Sequence, residues 1–259
     1  MYKNQRLSAS FKAAAIHLAI SLIIGAVAAI IVFGFWFRFP YESLAGGQHL
    51  FWMLVSIDVI CGPLLTAILY NPKKSRAELF IDLSIVSILQ IAALLYGLHT
   101  ISLARPVRLA FEVDRFVAVS PVDIDMSNLH RASRELRSFG WTGPVLVGTR
   151  GAQNGDEVIE SINLSAQGFE PSARPAAWVS YESNREQVKS RMRSLAKLRG
   201  QVSDDVGGLI DNAVRKSGKK IEEIYYLPLV SKKNLDEWVV FLDADANIVG
   251  YAAVDGFLP

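Results

Sequence analysis

Three stretches of the chain, 13–37, 50–70 and 79–101, run for roughly 20 residues or more with almost no charge. At about 1.5 Å per residue, each is long enough to cross a hydrocarbon layer of about 30 Å as a helix. Beyond residue 104 the pattern changes. Residues 107–119 alternate and are rich in Val and Phe, which predicts a strand, and 144–149 reads as a second, short one. Residues 123–139 read as a helix with Ser127 as its N-cap, and 156–167 as a second helix. Residues 178–181 read as an extended piece. Val188, Met192, Leu195 and Leu198 form an apolar stripe beside Arg185, Lys189, Arg193 and Lys197, which predicts one amphipathic helix over 184–199. Residues 203–217 follow as a helix capped by Ser203, with Asp204 and Asp205 in its first turn and Arg215 and Lys216 in its last. Three strands, 223–230, 238–242 and 248–254, close the chain. The predicted fold is an α-helical membrane bundle of three transmembrane helices (1–104), followed by an α+β domain with an antiparallel sheet and about four helices (105–259).

Charge gives the bundle a direction. Residues 1–104 hold 7 Lys+Arg and 4 Asp+Glu, and 105–259 hold 20 and 21. Neither half has the strong positive charge of a nucleic-acid binder. Lys3, Arg6 and Lys12 precede the first span, and Lys73, Lys74 and Arg76 lie in the turn between the second and third. The connection 38–49 carries Arg38 alone among basic Lys and Arg residues. By the positive-inside rule the N-terminus and the basic turn lie in the cytoplasm, and three crossings leave 105–259 on the far side, the periplasm of a bacterial inner membrane. The apolar run continues past the Ala26-Val27-Ala28 triplet, so the first span reads as an uncleaved anchor rather than a signal peptide. Phe35, Trp36, Phe37, Phe39, Tyr41, Phe51 and Trp52 flank the first connection as an interfacial aromatic belt would.

Several polar groups interrupt the hydrocarbon. Counted from the cytoplasmic ends, Asp58 lies about 18 Å in and Gln90 about 17 Å, while His17 and Asp82 lie about 6 and 5 Å in. Two layers follow: Asp58 with Gln90 near mid-membrane, and His17, Thr66 and Asp82 near the inner face. Asp82 can also reach toward Lys73 and Lys74. Asp58, Gly62 and Thr66 are spaced by four and share one helix face beside Pro63, which cannot donate a backbone hydrogen bond. This stripe reads as internal glue between the three helices, as a docking groove for another transmembrane helix, or as a proton path.

Motifs for chemistry are missing. The chain has no HExxH, CxxC, GxSxG or Walker sequence. His17, His49, His99 and His130 show no metal spacing, and Cys61, the one cysteine, lies inside an apolar helix. Gly148, Gly151 and Gly155 fit no phosphate-loop spacing. Asp243, Asp245 and Asn247 resemble the opening of a calcium loop, but Ile248 and Val254 stand where glycine and an acid are required, so a hairpin turn is expected. No cofactor, no metal and no catalytic residue is expected.

Asp58 followed by Gly62-Pro63-Leu64-Leu65-Thr66, then Asn71-Pro72-Lys73-Lys74, Asp82, Gln90, Ala93-Leu94-Leu95-Tyr96-Gly97, Ala104-Arg105-Pro106-Val107 and Asp114-Arg115-Phe116 resemble the TfpX/TfpZ family of type IV pilin accessory proteins. Gln187 to Leu198, Tyr226-Leu227-Pro228-Leu229 and the closing hairpin extend the likeness along nearly the whole chain. The resemblance implies a non-enzymatic role in stabilising or assembling a cognate major pilin in the inner membrane. The pilin's transmembrane helix would meet Asp58, Gly62, Pro63 and Thr66, its periplasmic head would meet the outer domain, and His17 would meet the glutamate near the mature pilin N-terminus. Membrane lipids are the other expected partner. A polytopic membrane enzyme, or a periplasmic sensor or transport component, is the alternative.

Overall fold

A computed structural model describes residues 2–258. Met1, Pro259 and the side chain of Lys3 lie outside the described residues. The chain divides into two compact units, 1–36 with 47–103, and 37–46 with 104–259.

The first unit is helical. Helix α1 (Tyr2–Ile31) ends in a π-helical turn over Val32–Trp36. After the short helix α2 (Tyr41–Leu44), which belongs to the second unit, come α3 (Gly47–Leu69) and α4 (Arg76–Ala104). Three helices, Arg6–Trp36, Gly47–Leu69 and Arg76–Ala104, are long and apolar enough to cross a membrane. Pro63 lies inside α3 without ending it. Between α3 and α4, Lys73 N–H donates to the Asn71 side chain, and Ser75 and Glu78 cap each other's backbone N–H groups at the start of α4. Helices α1 and α3 approach within 8 Å along their length, whereas α4 comes that close to either at hardly any point.

The second unit is built on a mixed sheet of eight strands: β1 (Arg108–Glu112), β2 (Arg115–Val119), β3 (Val145–Thr149), β4 (Trp178–Ser180), β5 (Arg193–Ser194), β6 (Tyr225–Val230), β7 (Val239–Leu242) and β8 (Ile248–Ala252). The order is β4-β3-β1-β2-β6-β7-β8, with β5 paired to β6. Helices α5 (Gly155–Ala166), α6 (Tyr181–Arg191), α7 (Leu195–Gln201) and α8 (Asp204–Ser217) connect the strands. One core gathers Leu195, Leu198, Ile210, Tyr226, Val239 and Phe241. A second gathers Val107, Ala110, Val119, Val147 and Trp178.

Four expectations are corrected here. The sheet is not purely antiparallel, because β1 pairs β3 and β2 pairs β6 in parallel. The strand expected over 107–119 is a hairpin, turned at Val113 and Asp114 with Asp114 N–H donating to Glu112 C=O at 2.7 Å. The turn carries no glycine: Val113 itself takes φ 61°, which a β-branched residue rarely does. The helix expected over 123–139 is replaced by 3-10 turns at Met126–Arg131 and Arg134–Leu136. Asp125 accepts from Ser127 and Asn128, so Ser127 is no helix cap, and the buried Arg108 guanidinium takes the carbonyls of Leu136 and Ser138. Those two carbonyls would sit in the last turn of such a helix, without intrahelical partners, so Arg108 anchors the end of the segment. Within it Arg137 Nε takes the Ala132 carbonyl that a helix would give to Leu136 N–H, which turns to Ser133 C=O instead. Finally, the helix expected over 184–199 breaks at Met192, where ψ is 139°. Arg193 and Ser194 leave the helix to pair with Tyr226 and Tyr225. The apolar stripe persists, with Val188, Leu195 and Leu198 all buried, but it is carried by two helices.

Other elements lie where expected: the strand at Val145–Thr149, the helix at Gly155–Ala166, the helix at Asp204–Ser217, and the three closing strands. Asn154 caps α5 by accepting from Glu157 N–H, whereas Ser203 occupies the cap position of α8 without a side-chain bond. The Asp243–Asn247 segment is a turn in which the Asp243 carboxylate accepts from the N–H groups of Asp245 and Asn247.

One packing relation was not legible from hydropathy. The connection 37–46 belongs with the sheet domain. Phe37, Tyr41 and Leu44 are buried, Ser231 Oγ donates to Leu44 C=O at 2.7 Å, and Tyr41 Oη lies 3.5 Å from Tyr251 Oη.

Candidate functional site

The polar residues of the helical unit converge on the face where α1, α3 and α4 meet. Gln90 of α4 donates from Nε2 to Asp58 Oδ1 at 3.0 Å and to Asp58 C=O at 3.2 Å on α3. Gly62, one turn further along α3, makes this possible. A Cβ built there would lie 2.1 Å from Gln90 Nε2, so the glycine is the notch in which the amide rests. The other amide atom, Gln90 Oε1, is buried with no hydrogen-bond partner among the described residues. Nearer the basic turn, His17 Nδ1 of α1 and Thr66 Oγ1 of α3 lie 2.6 Å apart. Ser10 Oγ of α1 donates to Tyr70 C=O at 3.0 Å.

The structure therefore brings Asp58 to Gln90 and His17 to Thr66. Asp82 does not join His17 and Thr66. It pairs with Lys74, which also donates to Leu69 C=O, and so ties the basic turn to the first part of α4. Lys73 donates its backbone N–H to Asn71, and Arg76 opens α4. Pro63 is half-buried on α3 beside this stripe. The small and polar positions Gly62 and Thr66 are buried against the chain's own helices, so the stripe's close-packing capacity is in large part used internally.

What remains open is a cavity of about 140 Å3 between α1 and α4. It is lined by His17, Ser21 and Ile24 of α1, by Asp58, and by Ser87, Gln90, Ile91 and Leu94 of α4. Ser21, Ser87 and Leu94 were not singled out by sequence. Single serines in a long apolar run carry no periodic signal, and only the helix pairing places them beside Asp58. The cavity has an apolar wall and a polar floor, and a volume of this size takes one or two side chains of an adjoining helix rather than a helix body.

The sheet domain has its own polar cluster, around a cavity of about 90 Å3 lined by Asp125, Arg131, Arg150, Glu157, Glu160 and Arg174 among others. Arg150 binds Glu157 at 2.7 Å, Arg131 binds Glu160 at 2.7 Å, and Arg174 donates to Ser161, Ser165 and the Phe169 carbonyl. The bond from Arg150 holds the Glu157 carboxyl below the usual carboxylate range. Burial pushes the Asp125 carboxyl up, but the bonds from Ser127 and Asn128 outweigh it and leave it lowered. Each charge here is answered by a neighbour, the pattern of a structural network. Among the described residues, no group of three or more His, Cys, Asp and Glu side chains is placed to hold a metal ion.

The family model of the fimbrial assembly protein FimB matches residues 5–46, which span most of α1 and the buried connection. Over 258 residues the chain is 37% identical to the fimbrial assembly protein of serogroup I from Dichelobacter nodosus, covering 98% of each chain. It is 36% identical over 254 residues to the serogroup E1 protein of the same organism, again covering 98% of each. The protein of serogroups C1 and C2 is 41% identical over 129 residues, half of this chain and 98% of its own length. No solved structure matches the chain. Similarity at this level along almost the full length of both partners places the chain, plainly, in the family of fimbrial assembly proteins.

Proposed function

We propose that this protein works in type IV pilus assembly by holding a pilin subunit in the inner membrane, without making or breaking covalent bonds. The observation that carries the reading is the cavity between α1 and α4, floored by Asp58 and Gln90, in a chain whose relatives are named for fimbrial assembly. A pilin awaiting assembly is anchored by one apolar helix, and such a helix would lie along the open seam between α1 and α4 with one or two of its side chains in the cavity. Asp58, Gln90, Ser21 and Ser87 would set its register by hydrogen bonds, each worth about 0.6 kcal/mol in a membrane. Gly62, Pro63 and Thr66 act from behind, by fixing the floor.

In this arrangement the N-terminus and the Lys73-Lys74-Arg76 turn face the cytoplasm, where the basic residues prefer to remain. The sheet domain then stands in the periplasm, where the pilin head is. The burial pattern of the helical unit supports its insertion in lipid. Its buried positions include Ser10, Ser21, Gly62 and Thr66, while Ile60, Leu64, Ile85, Ile88 and Leu95 are exposed, the reverse of a water-soluble bundle. The test is co-purification of the major pilin with the intact protein and with Ile91→Trp, which fills the cavity, and Asp58→Leu, which removes its floor. Both variants should recover much less pilin at equal protein levels. Undiminished recovery with both would sink the cavity as the pilin site.

A further inference from the structure

The end of the sheet domain that joins the helices carries a ring of large exposed apolar side chains. The parallel pairing of β1 with β3, with Arg108 opposite Val145, puts the start of both strands at one end of the sheet. That end is the one reached from Ala104, the last residue of α4, whose carbonyl accepts from Ser120 Oγ at 2.8 Å. The end of β2 lies there too, since Arg108 pairs Val119, and so does the end of β6, which runs parallel to β2. The connection 37–46 is held there as well, through Ser231 just beyond β6. All three joins between the domain and the apolar helices thus leave from this end.

Four large apolar side chains stand exposed in the loops of the same end. Phe39 is 59% exposed, Val122 65%, Leu235 67%, and Trp141, in the loop that enters β3, 61%. Phe39 lies edge-on to the rings of Trp238 and Tyr251 at 5.8 and 6.4 Å and still exposes more than half of its surface. The four side chains come from separate segments, so no single loop accounts for them. We infer that this end of the domain is a lipid-docking surface, which seats the domain on the bilayer by inserting Phe39, Val122, Trp141 and Leu235 into the headgroup and acyl boundary. The inference rests on the reading that the three apolar helices span a membrane.

The chemistry points to apolar insertion rather than attraction to charged lipid. In the 231–238 loop Lys232 and Lys233 are matched by Asp236 and Glu237, and Lys232 also pairs with Asp123 at 3.2 Å, so the loop that carries Leu235 has no surplus of positive charge. Aromatic and aliphatic side chains of this kind settle about 5–10 Å into the boundary region. The domain cannot tumble freely on its joins if it does so. It presents its opposite end, the β1–β2 turn and the Asp243–Asn247 hairpin, away from the lipid.

The experiment uses the full chain in phosphatidylethanolamine and phosphatidylglycerol vesicles with brominated acyl chains. An environment-sensitive fluorophore is placed on Val122→Cys or Leu235→Cys in a Cys61→Ser background. All are exposed positions, so the cores stay intact. Val113→Cys is the control, because Val113 is exposed at the far end of β1, about 17 Å away at about 3.3 Å per residue. Cys61 itself, labelled in the unsubstituted chain, reports on the helices. Probes at 122 and 235 should lose most of their emission, at low and high salt alike, while the probe at 113 keeps its own. Quenching at Cys61 without quenching at 122 and 235 overturns the docking surface and leaves the spanning helices standing, including where a protein partner shields those probes instead. No quenching at Cys61 removes the spanning reading and the inference with it.

Discussion

The two units of the chain bury opposite things. In the helical unit, Ser10, Ser21, Gly62 and Thr66 are among the buried residues and rows of Ile and Leu face outward. In the sheet domain, Phe111, Leu227, Val239, Phe241 and Ile210 are buried and most charges face outward. The same side-chain chemistry would give both results if, as proposed, the helical unit meets hydrocarbon and the sheet domain meets water. Against hydrocarbon, an apolar side chain gains nothing by leaving the surface, so small residues and hydrogen bonds decide which faces meet. Against water, apolar burial at about 25 cal/mol per Å2 dominates and polar groups are buried only with partners. Arg108 shows how far the second rule stretches, since its Nε is buried with no hydrogen-bond partner among the described residues while its two terminal nitrogens are bonded. It is fully buried, donates to three carbonyls, and lies about 5 Å over the rings of Phe139 and Trp178.

The largest effect should follow from disturbing the segment that looks like a membrane connection and behaves like core. Leu44 is fully buried in the sheet domain. Leu44→Ala should destabilise that domain by about 2–5 kcal/mol, the usual cost of truncating a buried leucine. The measurement is the protease resistance of 104–258 in the full chain as denaturant rises. A midpoint shared with the unsubstituted protein would mean that 37–46 is only a linker. Next in size is Gly62→Leu in the helical unit. Its side chain must displace Gln90 from Asp58, an overpacking cost of about 1–3 kcal/mol. Disulfide trapping of Cys pairs placed on α3 and α4 should fall in the variant, with the sheet domain's midpoint unmoved. Loss in both units together would break the contrast between them.

Legibility in the sequence follows the same division. The three apolar helices, the polar groups on them and the level of Asp58 with Gln90 could be read off, because a helix converts residue number into depth at a fixed rise. The sheet domain was legible where the signal is local: Val145–Thr149, the cap and first turn of Gly155–Ala166, and the closing strands. It was illegible where a distant group decides. Residues 123–139 carry helical spacing, but Asp125 N–H is tied to the Ala173 carbonyl and Arg108 binds the carbonyls of Leu136 and Ser138, so both ends of the segment are tethered to distant residues. Residues 184–199 carry an unbroken amphipathic stripe, but the edge of β6 takes Arg193 and Ser194. Phe37 and Tyr41 look like interfacial residues until both are seen buried, in a connection held to the sheet domain by the bond from Ser231 to the Leu44 carbonyl. Asp82 had two reachable partners at one depth, and Lys74, in the short connection just before α4, offers a charged donor, whereas His17 and Thr66 are already bonded to each other.

Acid should separate the units as well. Burial pushes the carboxyls of Asp125 and Asp243 up, but the hydrogen bonds they accept leave both below their ordinary value. A lowered carboxylate contributes stability that is fully present above the unfolded value near about 3.9 and is lost as pH falls through the folded one. The sheet domain should therefore hold a flat denaturation midpoint down to about pH 4 and lose stability below it. Asp125→Asn and Asp243→Asn should lower the midpoint at neutral pH and make the acid slope shallower. An acid slope identical to that of the parent in both variants would show that these two turns are not the acid-labile points.

The smallest expected effect is also the sharpest test of what holds the helices together. Gln90→Leu removes the donor to Asp58 while keeping a side chain of similar length in the notch at Gly62. A hydrogen bond between membrane helices averages about 0.6 kcal/mol, because the separated helices find other partners. Helix packing measured in detergent should therefore change little, by about 0.6 kcal/mol or less. Pilin recovery should respond more, because the floor of the α1–α4 cavity has lost its one amide. Thr100→Val, on the same helix but outside the cavity lining and bonded only to the Tyr96 carbonyl, is the matched control. A large stability loss in Gln90→Leu with pilin recovery following it in proportion would assign Gln90 to holding the bundle and take it out of recognition.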